Sequence, residues 1–112
     1  MPLVIVTTTL PSQEAAEALA TRLVEERLAA CVQVIGPIES TYRWEGAIER
    51  AKEWYCHCKA PAEDREALMA RIKAVHPYEV PEIIAVIADQ ADPAYLSWVQ
   101  EQTNPLPHIG DT

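Results

Sequence analysis

The 112-residue chain has no Phe, only three Gly and three Cys, and nine Lys plus Arg against 17 Asp plus Glu. Each shortage excludes something. At a net charge of −8 the overall field opposes phosphate, so nucleic acid, which needs a basic face to displace counterions, is not an expected partner. The same charge disfavours an anionic membrane surface. No apolar run approaches the roughly 20 residues that span a bilayer. The start, Met1-Pro2-Leu3-Val4-Ile5-Val6, carries neither the basic region nor the cleavage site of a secretory signal. Three cysteines are an odd number and two stand one residue apart. No disulfide framework is expected, and the reading is a reducing, cytoplasmic location. Glycines at 36, 46 and 110 are too scattered for a phosphate loop. No Gly-x-Ser-x-Gly elbow or His-Glu-x-x-His helix occurs, so an enzyme is not expected.

What is present is apolar pattern. Hydrophobic residues make up 49% of the chain, enough for the core of one domain over 1–112. Residues 3–9 form an apolar, β-branched run closed by Leu10-Pro11-Ser12, which predicts a buried strand. Ala16, Leu19, Ala20, Leu23 and Leu28 recur at helical spacing after Ser12, predicting a capped amphipathic helix over 13–28. A strand over 31–35 passes Gly36-Pro37, a bulge or bend signal, and resumes over 38–42. Arg43-Trp44-Glu45-Gly46 turns the chain into a second long strand over 47–59. Two such arms exceed the usual strand of about 5–6 residues. Their exposed edges predict covering by another copy of the chain. Pro61-Ala62-Glu63-Asp64 opens a second helix with Leu68, Ile72 and Val75 as its buried stripe, and His76-Pro77 ends it. The continuous apolar run 83–88 predicts a central strand. Asp92-Pro93 caps a last helix carrying Tyr95, Leu96, Trp98 and Val99, and residues 103–112 read as a loosely ordered tail that includes His108. The order β-α-β-β-α-β plus a terminal helix is that of an α+β, ferredoxin-like sandwich with a long β2–β3 hairpin.

Three segments carry candidate chemistry. Cys56-His57-Cys58 suggests a metal, but strand alternation puts the two thiols on one face and the imidazole on the other. The thiols then sit about 7 Å apart along the strand, too far for an easy disulfide. Packing under a helix is the preferred reading, and Cys31 is likewise read as a buried strand thiol. In His76-Pro77-Tyr78-Glu79-Val80-Pro81-Glu82, an imidazole, a phenol and two carboxylates share a proline-held loop at a helix C-terminus, which favours a cation. The competing reading is a rigid turn with His76 as a helix cap. Tyr42 and Trp44 at the hairpin tip suggest a partner surface or packing between copies. A small hydrolase would rest on fold analogy alone, because Thr7-Thr8-Thr9 stands where a basic anion cradle would be needed.

Four stretches in order resemble the CutA family of divalent-cation tolerance proteins. They are Glu25-Glu26-Arg27-Leu28-Ala29-Ala30-Cys31-Val32, Tyr42-Arg43-Trp44-Glu45-Gly46, His76-Pro77-Tyr78-Glu79-Val80-Pro81-Glu82-Ile83 and Tyr95-Leu96-Ser97-Trp98. The resemblance implies a cytoplasmic homotrimer with a PII-like shape, clefts between subunits and a role in tolerance of divalent ions such as Cu2+. It also implies metal ligation by a Cys late in the first strand and a His-His pair ending the second helix. The corresponding residues here are Thr7, Val75 and His76, so only His76 matches, and weak binding follows. His76, Glu79 and Glu82 are the candidate cation ligands, with no tightly bound cofactor. Cleft residues carried over by match are Cys31, Tyr42, Trp44, Lys59, Tyr78 and Trp98. The alternative is a PII-like signalling or adaptor trimer that takes a small molecule or partner in its intersubunit cleft.

Overall fold

A computed structural model describes residues 2–103. Strand β1 (Leu3–Leu10) is followed by helix α1 (Gln13–Glu25), the hairpin β2 (Cys31–Trp44) and β3 (Ala47–Pro61), helix α2 (Arg65–Val75), strand β4 (Ile83–Ala88) and helix α3 (Pro93–Gln102). The sheet order is β2-β3-β1-β4, with every neighbouring pair antiparallel. That is the split βαβ arrangement predicted from the pattern.

Local chemistry explains most of the boundaries. Ser12 caps α1, its hydroxyl accepting the Ala15 N–H at 3.0 Å. The helix stops at Glu25 rather than at the expected Leu28. The Leu28 N–H reaches back to the Leu23 carbonyl and the Arg27 N–H to the Val24 carbonyl, both at 3.0 Å. Those are the two bonds of a Schellman ending, and they place Arg27 at φ +60°. Glycine usually signals this ending, and here an arginine occupies the position. Before α2, residues Ala62–Asp64 make one 3-10 turn, so β3 runs on to Pro61. Asp92 caps α3 by accepting the Tyr95 N–H at 3.1 Å. The tail expected to be loosely ordered over 103–112 lies outside the described residues except at Thr103. That residue is buried, and its hydroxyl donates to the Val99 carbonyl at 2.7 Å.

The hairpin continues through Gly36-Pro37. Register passes from Ile35↔Tyr55 to Ile38↔Glu53, so two residues of β2 oppose Trp54 in a bulge, as expected. The tip is a two-residue turn with Glu45 at φ +50° and Gly46 at φ +82°, the left-handed pair that matches strand twist. The strand reaches Trp44, two residues further than the pattern suggested.

Helices α1 and α2 cover one face of the sheet. Val4, Val6, Cys56, Cys58 and Ala60 point into that layer with Leu19, Leu23, Leu68 and Ile72, all nearly or fully buried. Each fully buried large aliphatic among them contributes about 1.5–3 kcal/mol. Helix α3 packs over Leu3 and Ala30 through Val99 and Leu96, at one end of the opposite face. The rest of that face carries Ile5 and Thr7, Tyr55 and His57, Gln33 and Ile35, and Ile84 and Val86, by strand alternation. Ile35, Ile84 and Val86 are each more than half exposed. The run 83–88 was expected to be a central strand and is an edge. Among the described residues it pairs only with β1, and none of them supplies a second layer over Ile84 and Val86, which stay more than half exposed.

Gly36 is fixed by its neighbour. A Cβ built there would stand 2.6 Å from Trp54 Cγ and 2.9 Å from Nε1. Gly36→Ala is expected to cost about 1–3 kcal/mol through overpacking, read as a lower urea midpoint with unchanged slope.

Candidate functional site

The loop after α2 is anchored by His76. The Tyr78 backbone N–H donates to His76 Nδ1 at 3.1 Å, so Nδ1 is the acceptor and the proton resides on Nε2. Nε2 lies 2.9 Å from the Thr9 carbonyl and 3.0 Å from Thr8 Oγ1. Both ring nitrogens are thus spent on tying the end of α2 to the end of β1. Burial lowers the His76 pKa, against the opposing influences of the Thr9 carbonyl and the Glu53 carboxylate. The neutral tautomer is the one this geometry needs.

Tyr78 carries the network on. Its hydroxyl donates to Glu53 Oε2 at 2.8 Å, and its ring lies tilted against His76 with centroids 4.9 Å apart. Burial, the bond to Glu53 and the nearby charge of Glu53 and Tyr42 hold the phenol well above its ordinary pKa, so it remains a donor. Glu53 is only 9% exposed.

The six expected cleft residues do not gather into one pocket in a single chain. Cys31 and Lys59 are register partners across β2 and β3. Cys31 Sγ is 3.5 Å from Tyr95 Oη, and Tyr95 stacks on Trp98 with centroids 5.7 Å apart. Lys59 Nζ donates to the Gln33 side-chain carbonyl. Tyr42 belongs electrostatically with Tyr78. Trp44 stands at the hairpin tip, 51% exposed. Cys31 was expected to be buried and is half-buried, because its strand alternation turns it away from α1 toward Tyr95. Sequence reasoning missed Glu53, Tyr95, Gln33 and the two threonines that receive His76. Only the shared strand parity of Glu53 with Tyr55, His57 and Lys59 could have placed the carboxylate.

Cys56 and Cys58 are fully buried in the helix-facing layer, and burial pushes their thiols up to about 11 and about 12. They are packing groups, as expected, and chemically quiet. His57 points the other way. Its Nδ1 is 3.1 Å from Thr7 Oγ1, its ring stacks on Tyr55, and burial and Lys59 lower its pKa. Within one chain His76, Glu79 and Glu82 are not brought together as a ligand set. Among the described residues no group of three or more His, Cys, Asp or Glu is placed to hold a metal ion, and a ligating imidazole needs a lone pair that Nδ1 has given to Tyr78. The apolar opening of about 260 Å³ beside His76 is lined by Leu19, Val75 and Pro77, with Arg22 as its charged group. It is unsuited to a positive ion.

Fold and site together define a small ferredoxin-like domain whose polar groups hold a loop and whose described residues leave one face of the sheet largely uncovered. The model for the CutA1 divalent ion tolerance protein family matches residues 4–102, and this chain belongs to that family. It is 41% identical over 99 residues to the divalent-cation tolerance protein CutA of Thermus thermophilus, covering 88% of this chain and 96% of that one. It is 37% identical over 103 residues to the chloroplastic protein CutA of Arabidopsis thaliana, covering 92% of this chain and 57% of that longer protein. The structure of the periplasmic divalent cation tolerance protein CutA of Archaeoglobus fulgidus superposes with a TM-score of 0.87 at 36% identity, covering 91% of this chain and 99% of that one.

His57 and His76 both have lowered pKa values in the fold. Between the ordinary histidine value near 6.5 and the lower folded values, the unfolded chain binds more protons than the native one. Stability is therefore constant above that window and falls as pH drops through it. Urea melts at pH 7.5, 6.5 and 5.5 are expected to show the loss beginning below about 6.5, and a flat profile would contradict the buried neutral rings.

Proposed function

We propose that this chain serves divalent-cation tolerance as a cytoplasmic homotrimer that takes up ions such as Cu2+ weakly, without a cage preformed inside one chain. The carrying observation is the open sheet face. Ile84 and Val86 of the edge strand, with Ile35 across the sheet, stand more than half exposed, an apolar strip of the kind that soluble chains bury against a partner. Weak uptake is favoured by the committed lone pair of His76 and by the dispersed carboxylates of a chain with net charge −8. The trimer number and the link to copper come from the family resemblance. No helix among the described residues is long and apolar enough to cross a membrane.

Native mass spectrometry of chelator-stripped chain, with and without stoichiometric Cu2+, tests both halves. The expected spectrum is a trimer that keeps its mass after stripping and shows only partial, easily lost Cu2+ adducts. A monomer, or a stoichiometric ion surviving buffer exchange, would overturn the reading. His76→Ala is expected to leave the Cu2+ adducts unchanged while lowering the urea midpoint. Loss of the adducts would return the ion to His76.

A second reading, the adaptor trimer, is favoured by the exposed aromatics Tyr42 and Trp44 on the hairpin and by the Tyr95–Trp98 stack beside Cys31. It holds if a metabolite panel yields a thermal shift that Trp44→Ala or Trp98→Ala removes. It falls if no compound shifts the wild type and no partner protein co-purifies with it.

A further inference from the structure

Among the described residues, two charged side chains on the open sheet face have neutral partners only. Glu53, 9% exposed, accepts one hydrogen bond on Oε2, from the Tyr78 phenol at 2.8 Å. Among the described residues Oε1 has no donor and no fully buried side-chain oxygen lacks a partner. Oε1 therefore lies at the narrow opening that gives Glu53 its residual exposure. A carboxylate so nearly buried normally has a cation beside it. The Arg71–Glu26 ion pair lies elsewhere on the surface and involves neither Glu53 nor Lys59. Lys59 is half-buried, and its ammonium donates to the uncharged Gln33 side chain.

The two residues lie on one strand, β3, with the same parity as Tyr55 and His57. Six positions of extended chain separate them by about 20 Å, so they cannot meet within one chain. A strand that presents an unmatched anion at one end and an unmatched cation at the other is complementary to another copy of itself. Rotation in a closed ring places residue i of one copy against residue j of the next.

We infer that Glu53 and Lys59 form an ion pair between copies of this chain, with Tyr78 holding the carboxylate in position to receive the neighbour's ammonium. The inference rests on the proposed oligomer and adds the contact that sets its register. The partner copy completes the site: one chain supplies the carboxylate and its phenol clamp, the next supplies the lysine. Burial makes such a pair selective, because a carboxylate left facing no cation costs more than the pair gains in water. Arg43, Arg50 and Lys52, exposed on the hairpin arm, are the competing donors.

The test is subunit exchange between isotope-labelled and unlabelled chains, followed by native mass spectrometry at matched concentration, on wild type, Glu53→Gln, Lys59→Gln and the double variant. Far-ultraviolet circular dichroism verifies that each folds. Each single change is expected to speed exchange by at least about tenfold, and the double to be no faster than the faster single, since both remove one contact. Tyr78→Phe should speed exchange less than Glu53→Gln. If Glu53→Gln fails to fold, Lys59→Gln alone still decides, because its side chain is half exposed and its loss leaves the core intact. Additive effects would overturn the pair. So would a Glu53 effect without a Lys59 effect, which would assign the carboxylate to a hairpin arginine or Lys52. A wild type that is monomeric removes the oligomer reading and this one together, whereas a wild-type oligomer indifferent to Lys59→Gln removes this one alone.

Discussion

Helices on one side of a four-stranded sheet leave the other side to be covered, and that constraint governs this chain. Val4, Val6, Cys56, Cys58 and Ala60 reach α1 and α2, and burial of those side chains supplies the fold's driving force. The alternate residues of the same strands have no such layer among the described residues. Helix α3 reaches only the end near Leu3, Ala30 and Cys31. A strand cannot be apolar on one face and indifferent on the other without consequence, since period-two alternation sends half of every strand to each side. Ile84 and Val86 on the edge, Ile5 beside them and Ile35 across the sheet therefore express a demand that the 102 described residues do not meet.

The fold was legible where one period or one cap dominated. The heptad-like spacing of Ala16, Leu19 and Leu23, the Ser12 and Asp92 caps, and the Gly36-Pro37 bulge all act locally, so each could be placed without knowing the rest. What escaped was set by tertiary context. Arg27 ends α1 in a left-handed conformation that sequence statistics reserve for glycine, and its guanidinium bond to the Glu101 carbonyl at 2.8 Å ties that end to a helix 74 residues away. The 83–88 run looked central because an apolar strand does look the same whether its second layer comes from its own chain or from elsewhere. The site was less legible than the fold. His76 was placed correctly at a helix end, but no spacing rule says that its lone pair will be taken by the N–H two residues on, or its proton by Thr9 across 67 positions.

That use of His76 changes what the loop can be for. An imidazole free at one nitrogen is a ligand; an imidazole bonded at both is a pin. Thr8 and Thr9 are buried, and their receiving groups would be left unsatisfied if the ring swung out toward an ion, so a cation competing for Nδ1 must also offset those lost bonds. The substitutions at the positions matching family ligands agree with this. Thr7 Oγ1 lies 3.1 Å from His57 Nδ1, and Val75 packs against the core. Neither offers a soft donor. Tolerance of a divalent ion does not require a resident one, and in this chain both ring nitrogens of His76 are already engaged in holding the architecture.

The open face is also not uniformly apolar, and the departure is informative. A flat sheet face made only of Ile and Val would accept many registers, each shifted by two residues and each burying similar area. Gln33, His57, Lys59 and Glu53 interrupt it at fixed heights along β2 and β3. Charges contribute little to affinity once their desolvation is counted, but they penalise every arrangement that leaves them unmatched. Apolar area at Ile84, Val86 and Ile35 can drive copies together. In the proposed assembly polar groups placed among it would decide how they sit, and the carboxylate clamped by Tyr78 is the most constrained of them, because its phenol, the His76 pin and the end of β1 form one connected series of hydrogen bonds and ring contact. The loop that the family resemblance marks as a ligand site would then serve recognition between copies first, with any ion or small molecule meeting a surface whose shape that assembly has set.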